Sequence, residues 1–284
     1  MTDVTALTDI VCELGESALW DDRLARLYWV DITGQRIFAL NWASRATKAL
    51  DVPSPVGSVA LRVDGGLIAV LPHAVVHCDV DRQTIEPVHD VEPDLDANRC
   101  NDGAVDAWGR FWFGTMDLGE KLPTGSFYRF DGGLHRAFGG IVCHNGPAWS
   151  PDGRVLYHVD SARRLITAYD FDGPAGTVGA GRTFVSDEGE DWFPDGVTVD
   201  AEGFVWNCKW DGARIVRYSP DGSVDRVLHV PVPRPTRCAF AGDDLSVLAV
   251  TTARIGLRDP DPLSGRVLLL DPGVAGLPAH RYGA

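Results

Sequence analysis

Four polar residues occupy the same position of a repeating sequence unit: Glu16 in GESALWDD, Asn101 in NDGAVDA, Asn145 in NGPAWSPDG and Asp195 in DGVTVDAEG. Each stands four residues before a Trp or Val that is followed by Asp or Ser, and each unit then turns into an apolar run. In a closed repeat fold, equivalent positions meet around the axis, so these side chains become one oxygen-rich cluster. Two carboxylates and an amide carbonyl are hard donors without sulfur, a set suited to Ca²⁺, Mg²⁺ or Mn²⁺ and able to accept Zn²⁺. Three protein ligands leave positions open to water and substrate, and an open cation site polarises a carbonyl and lowers the pKa of bound water. Asp195 is then placed both to hold the cation and to accept a proton from water. Asn-Gly and Asp-Gly are ordinary turn dipeptides when they stand alone. The phase shared by four units is what makes a site of them.

The elements that must position these residues are read from the same repeat. DDRLARLYWVD at 21–31, DGGLIAV at 64–70, WGRFWFGT at 108–115, DGRVLYHVD at 152–160, EGFVWNCKW at 202–210 and DDLSVLAVT at 243–251 are six copies of a turn followed by a short apolar run. With Ala25, Gly66, Gly109, Gly153, Gly203 and Asp244 as markers, the intervals are roughly 41, 43, 44, 50 and 41 residues, the span of a propeller blade. Turn chemistry between apolar runs reads as β-hairpins, and helical periodicity is hard to find. The chain is therefore expected to be all-β, one six-bladed β-propeller domain over residues 1–284, since radial repetition leaves only short strand edges. The runs after the four polar residues read as inner strands lining the channel, with Val59 and Thr236 at the same phase in the second and sixth units. An N-terminal strand around Ile10–Leu14 is expected to complete the blade formed mainly by the C-terminal segment, including GRVLLLD at 265–271.

Composition narrows the partners. The formal net charge of −14 opposes nucleic-acid and anionic-membrane binding, which depend on clustered Lys and Arg. No apolar run approaches a membrane span, and MTDVTALTDI lacks the regions of a signal peptide, so a cytoplasmic protein acting on a small molecule is expected. Six widely spaced cysteines without a CxxC pair read as buried, reduced residues, with neither a zinc motif nor a redox motif.

Over nearly its whole length the chain resembles the senescence-marker-protein, gluconolactonase and luciferin-regenerating-enzyme family. The resemblance is carried by LGESALW, NRCNDGAVDAWGRFWFGTMD, CHNGPAWSPDGRVLYHVDS, FPDGVTVDAEGFVW and TTARIGL, in that order. It implies a six-bladed propeller with a divalent cation at its centre, held by Glu16, Asn145 and Asp195, and a substrate contacted by Arg99 and Asn101. Arg99 lies two residues before Asn101, so in extended chain both side chains point the same way, and its guanidinium can bind ring or carbonyl oxygens and steady developing negative charge.

Some family members carry an acidic residue three positions after the Met of GTM to meet sugar hydroxyls. Here that position is Gly119, which leaves Asp117 and Glu120 as candidate replacements. His144, beside Asn145, is a tempting ligand or base, but neighbours on a strand point to opposite sides. Trp112, Phe113, Trp206 and Trp210 read as blade packing, with one of them free to line the mouth.

The expected activity is metal-dependent hydrolysis of a sugar aldonolactone, of gluconolactone, xylonolactone or arabinonolactone type, to the open acid. Two alternatives keep the same residues: a phosphotriesterase-like hydrolase, and a non-catalytic calcium-binding or interaction protein. The oligomeric state is left open.

Overall fold

The apolar runs pair, in chain order, into six sheets built on antiparallel hairpins and arranged as a β-propeller. The structure is a computed structural model and describes residues 4–283. The innermost strands are Gly15–Asp21, Ser58–Arg62, Asn98–Val105, His144–Trp149, Phe193–Val199 and Pro235–Ala241, in blades 1 to 6. Burial falls from the axis outward: Phe111–Asp117, second in blade 3, is wholly buried, whereas Thr84–Asp90, outermost in its hairpin series in blade 2, is nearly all exposed. The core lies between blades. Tyr28, Val30 and Ile37 of blade 1 pack on Val59, Leu61 and Leu67 of blade 2, and Trp206 and Ile215 of blade 5 pack on Phe240 and Leu248 of blade 6. Each fully buried side chain of this size contributes about 1.5–3 kcal/mol, so every blade is stabilised by both neighbours.

Repeated sequence words have repeated structural duties. In VDAWGRFW, Asp106 accepts the backbone N–H groups of Trp108 and Arg110, and Trp112 Nε1 at 2.8 Å. In VDAEGFVW, Asp200 accepts those of Glu202 and Phe204, and Trp206 Nε1 at 2.8 Å. The aspartate satisfies the turn's donors and fixes the indole in the interblade core, which is why Asp and Trp recur six residues apart.

Closure differs in place from the sequence expectation. Thr5–Ala6, and not residues 10–14, supplies the outer strand of blade 6, pairing antiparallel with Leu268–Leu269. Residues 10–14 form no strand beyond a single bridge from Leu14 to Ala253. Their polar backbone is committed elsewhere: Cys12 N–H donates to Gly265 O, and Glu13 and Leu14 N–H donate to the Asp31 carboxylate. A second junction was not legible, with Arg281–Tyr282 adding in parallel to Leu61–Arg62 of blade 2.

Candidate active site

The side chains of the ring reach the channel because the inner strands slip. Register breaks between Glu16 and Leu19, Cys100 and Gly103, Asn145 and Ala148, Pro194 and Val197, and Pro235 and Cys238. Blade 2 pairs without a break from Ser58 to Leu61. A bulge re-aims side chains out of the pleat, so blades 1, 3, 4 and 5 direct Glu16, Asn101, Asn145 and Asp195 inward. Val59 stays in the interblade core, and the Thr236 hydroxyl donates to Gly15 O at 2.6 Å. The approach to two of these strands is clamped alike. Asp31 receives Glu13 and Leu14 N–H, and Asp160 receives Val142 and Cys143 N–H, both at 3.1 Å. Tyr-x-Val-Asp at 28–31 and at 157–160 is the sequence signal for that clamp.

A cavity of about 360 Å³ opens at this end of the channel, lined by Glu16, Arg99, Asn101, Glu120, Asn145 and Asp195. Arg99 Nη1 donates to Asn101 Oδ1 at 2.5 Å, and Asn101 Nδ2 donates to His144 O at 2.7 Å and Asn145 Oδ1 at 3.3 Å. Asn145 Nδ2 donates to Ser161 Oγ at 2.9 Å, which turns its amide oxygen toward the other site groups. Ser161 belongs to the short 3₁₀ turn Ser161–Arg163, a contribution that sequence reasoning did not find. Asn207 Nδ2 fixes the Asp195 carbonyl at 2.7 Å.

The two acidic residues are poised for positive charge. Burial raises the Glu16 carboxyl to about 7, against the opposing pull of the Ser17 N–H, Arg237 and Arg99. Burial, and then the neighbouring Glu16, hold Asp195 well above the usual carboxylate range. Arg237 is tied to Asp102, and Arg99 is turned to Asn101. The described residues contain no gathering of three His, Cys, Asp or Glu side chains; the donor set is two carboxylates and one amide oxygen. Two buried acids that repel each other beside an oriented amide oxygen fit a hard divalent cation, whose charge favours ionisation of both.

Glu120 and Asp117 part company. Glu120 lines the cavity. Asp117 does not: its Oδ2 accepts Lys121 N–H at 2.9 Å and Leu122 N–H at 3.1 Å, so it closes the turn that presents Glu120. His144 is fully buried against Phe127 and His158, with Nδ1 and His158 Nε2 3.0 Å apart, and burial lowers it to about 3. It is a neutral packing residue rather than a base. Of the four aromatics, Trp112, Phe113 and Trp206 are buried in the blades, while Trp210 joins Phe193 and Ile32 on the cavity wall.

Comparison with known proteins adds a second line. The family model described as the SMP-30/Gluconolactonase/LRE-like region matches residues 14–254. The chain is 36% identical to an L-arabinolactonase of Azospirillum brasilense, over 98% of this chain and 95% of that one. It is 35% identical to a 6-deoxy-6-sulfogluconolactonase of Pseudomonas putida, over 93% and 92%. The crystal structure of regucalcin from Agrobacterium tumefaciens, described as a calcium-binding protein, superposes with a TM-score of 0.94 at 28% identity, covering 99% of this chain and 97% of that one.

Proposed function

Because the chain belongs to the SMP-30/gluconolactonase/LRE-like family, we propose that it is a sugar lactonase, opening an aldonolactone of a pentose or hexose to the aldonic acid with the help of a divalent cation. Relatives named for lactone opening support the reaction class. The single observation that carries the reading is the convergence of Glu16, Asn145 and Asp195 with the Arg99–Asn101 pair on one buried cavity.

In this reading Glu16, Asn145 and Asp195 hold the cation. When bound, it supplies Lewis acidity toward the lactone carbonyl and toward water. Arg99 exchanges its hydrogen bond with Asn101 for one to the substrate and stabilises negative charge as it develops on the carbonyl oxygen. Asn101, pinned to the His144 carbonyl, orients the ring, and Glu120 accepts hydroxyl hydrogens. Water adds to the carbonyl carbon while Asp195 takes its proton. The ring C–O bond then breaks, and Asp195 returns the proton to the departing ring oxygen, leaving a carboxylic acid and a free hydroxyl. Ile32, Phe193 and Trp210 limit bulk water around these charges.

The test is a panel of glucono-, xylono-, arabinono- and other sugar lactones, with phosphotriesters as comparison, assayed with chelated protein and after addition of Ca²⁺, Mg²⁺, Mn²⁺ or Zn²⁺. Cation-dependent opening of a sugar lactone supports the reading. Cation binding without turnover of any lactone identifies a calcium-binding protein instead, and preferential phosphotriester turnover identifies the other hydrolase.

A further inference from the structure

The channel contains a second room. From the ring of site residues the inner strands continue for about four residues, roughly 13 Å at the usual rise, to the opposite end of the propeller. A separate cavity of about 360 Å³ lies there, with Trp20, Trp108, Trp149, Phe240 and Arg237 in its wall. The tail segment 277–280 forms another side. That segment is held at both ends: Gly276 N–H donates to Leu245 O, and Arg281–Tyr282 pair with blade 2.

Side-chain size at successive levels of the repeat makes this room. Three residues beyond the site ring, blades 3 to 6 place Ala104, Ala148, Thr198 and Ala239 on the cavity, all small. One residue further come Val105, Trp149, Val199 and Phe240, with Trp20 from blade 1. The floor between the two rooms is built one residue beyond the ring, at Ser17, Asp102, Gly146, Gly196 and Arg237. Only Arg237 is long at that level, and it crosses to Asp102, whose Oδ2 also receives Gly146 N–H at 2.9 Å. A side chain at 196 is excluded, because its Cβ would stand 2.7 Å from Arg237 Cβ and from Thr236 O.

Arg237 uses only part of its guanidinium in that pair. Nη1 serves Asp102 and, at 3.4 Å, Gly103 O. Nε and Nη2 have no hydrogen-bond partner among the described residues, and neither is a sealed-off atom. Nε and Nη2 form one edge of the guanidinium, the fork that matches a carboxylate bidentately. One arginine serving several carboxylates already occurs in this chain, where Arg217 meets Asp200, Glu202 and Asp225.

The geometry points to a second ligand site in this lower cavity, for a small carboxylate with a flat apolar body: the carboxylate on the Nε–Nη2 edge of Arg237, the body among the rings of Trp20, Trp149 and Phe240. The indole and phenyl rings give the body its flat apolar contacts, with Ser150, Thr198 and His280 also on the wall. The inference uses none of the residues assigned to holding the cation or the substrate, and Arg237 is linked to that centre only through its charge near Glu16.

Benzoate is the probe, titrated calorimetrically into the full chain loaded with divalent cation, with methyl benzoate as the uncharged comparison. Saturable one-to-one binding of benzoate and much weaker binding of the ester are expected. Arg237→Gln should weaken benzoate binding by about tenfold to a hundredfold, the loss of a charge-assisted hydrogen-bonded pair. Ala239→Leu fills the room without touching Asp102 and should abolish binding, which keeps the test sound if Arg237→Gln fails to fold by circular dichroism. Ala162→Leu, on the wall of the upper cavity, should leave it unchanged. Absence of saturable benzoate binding overturns the proposal, as does wild-type affinity in folded Ala239→Leu or loss of binding in Ala162→Leu.

Discussion

Replacing Glu16 by Gln should make the cation-free protein more stable, and only above a definite pH. A carboxyl held near 7 by burial, against an ordinary value of 4.5, keeps its proton in the folded chain over a range where the unfolded chain has released it. Folding therefore binds a proton between those values, and stability falls as pH rises through that window. Above pH 7 the ionised carboxylate costs the chelated protein about 3 kcal/mol. Gln mimics the protonated acid and has no such term. In differential scanning calorimetry with chelator, wild type and Glu16→Gln should unfold at similar temperatures at pH 5 and separate by roughly 5–10 °C at pH 8, the variant being more stable. Saturating divalent cation should reverse the order at pH 8, because the ionised carboxylate then has a counter-charge. Parallel melting curves across pH 5–8 would refute the claim that the burial of Glu16 outweighs its neighbouring N–H and arginine groups.

Other substitutions separate the remaining roles. Arg99→Ala should retain cation, measured by elemental analysis, while kcat/KM for the best lactone falls by about 10- to 1,000-fold; wild-type kinetics would make Arg99 an ordinary channel residue. Asp195→Asn keeps an oxygen for the cation but loses basicity, so turnover should stay nearly absent even at verified cation saturation, and a normal kcat there would limit Asp195 to holding the cation. Gly114→Ala places a Cβ 2.1 Å from the His144 ring; it should lower stability by about 1–3 kcal/mol or more in urea unfolding, and an unchanged midpoint would show that the blade 3–4 interface yields freely.

Much of the fold was legible because a propeller is a one-dimensional pattern. Each blade needs its own turn residues and apolar runs, so the repeat is written at intervals of about one blade. The site ring was legible for the same reason, as equal phase in equivalent blades becomes proximity at the axis. Other features fell outside the repeat. The closing strand Thr5–Ala6 is two residues long, too short for any periodic signal, and the apolar residues at 10–14 were the more conspicuous candidate. Asp117 and Glu120 are both acidic and nearly adjacent; backbone donors at 121 and 122 decide which one reaches the cavity.

The sequence by itself determined the number of blades and the level on the channel at which Glu16, Asn101, Asn145 and Asp195 stand, since local turn chemistry and alternation specify these blade by blade. Tertiary structure alone decided what depends on several blades at once. It turned the Asn145 amide through Ser161, removed His144 into the interblade packing, and joined Arg237 to Asp102 across 135 residues to divide the channel in two. Such contacts have no fixed spacing in the chain, because they are set by the closure of the ring rather than by the repeat.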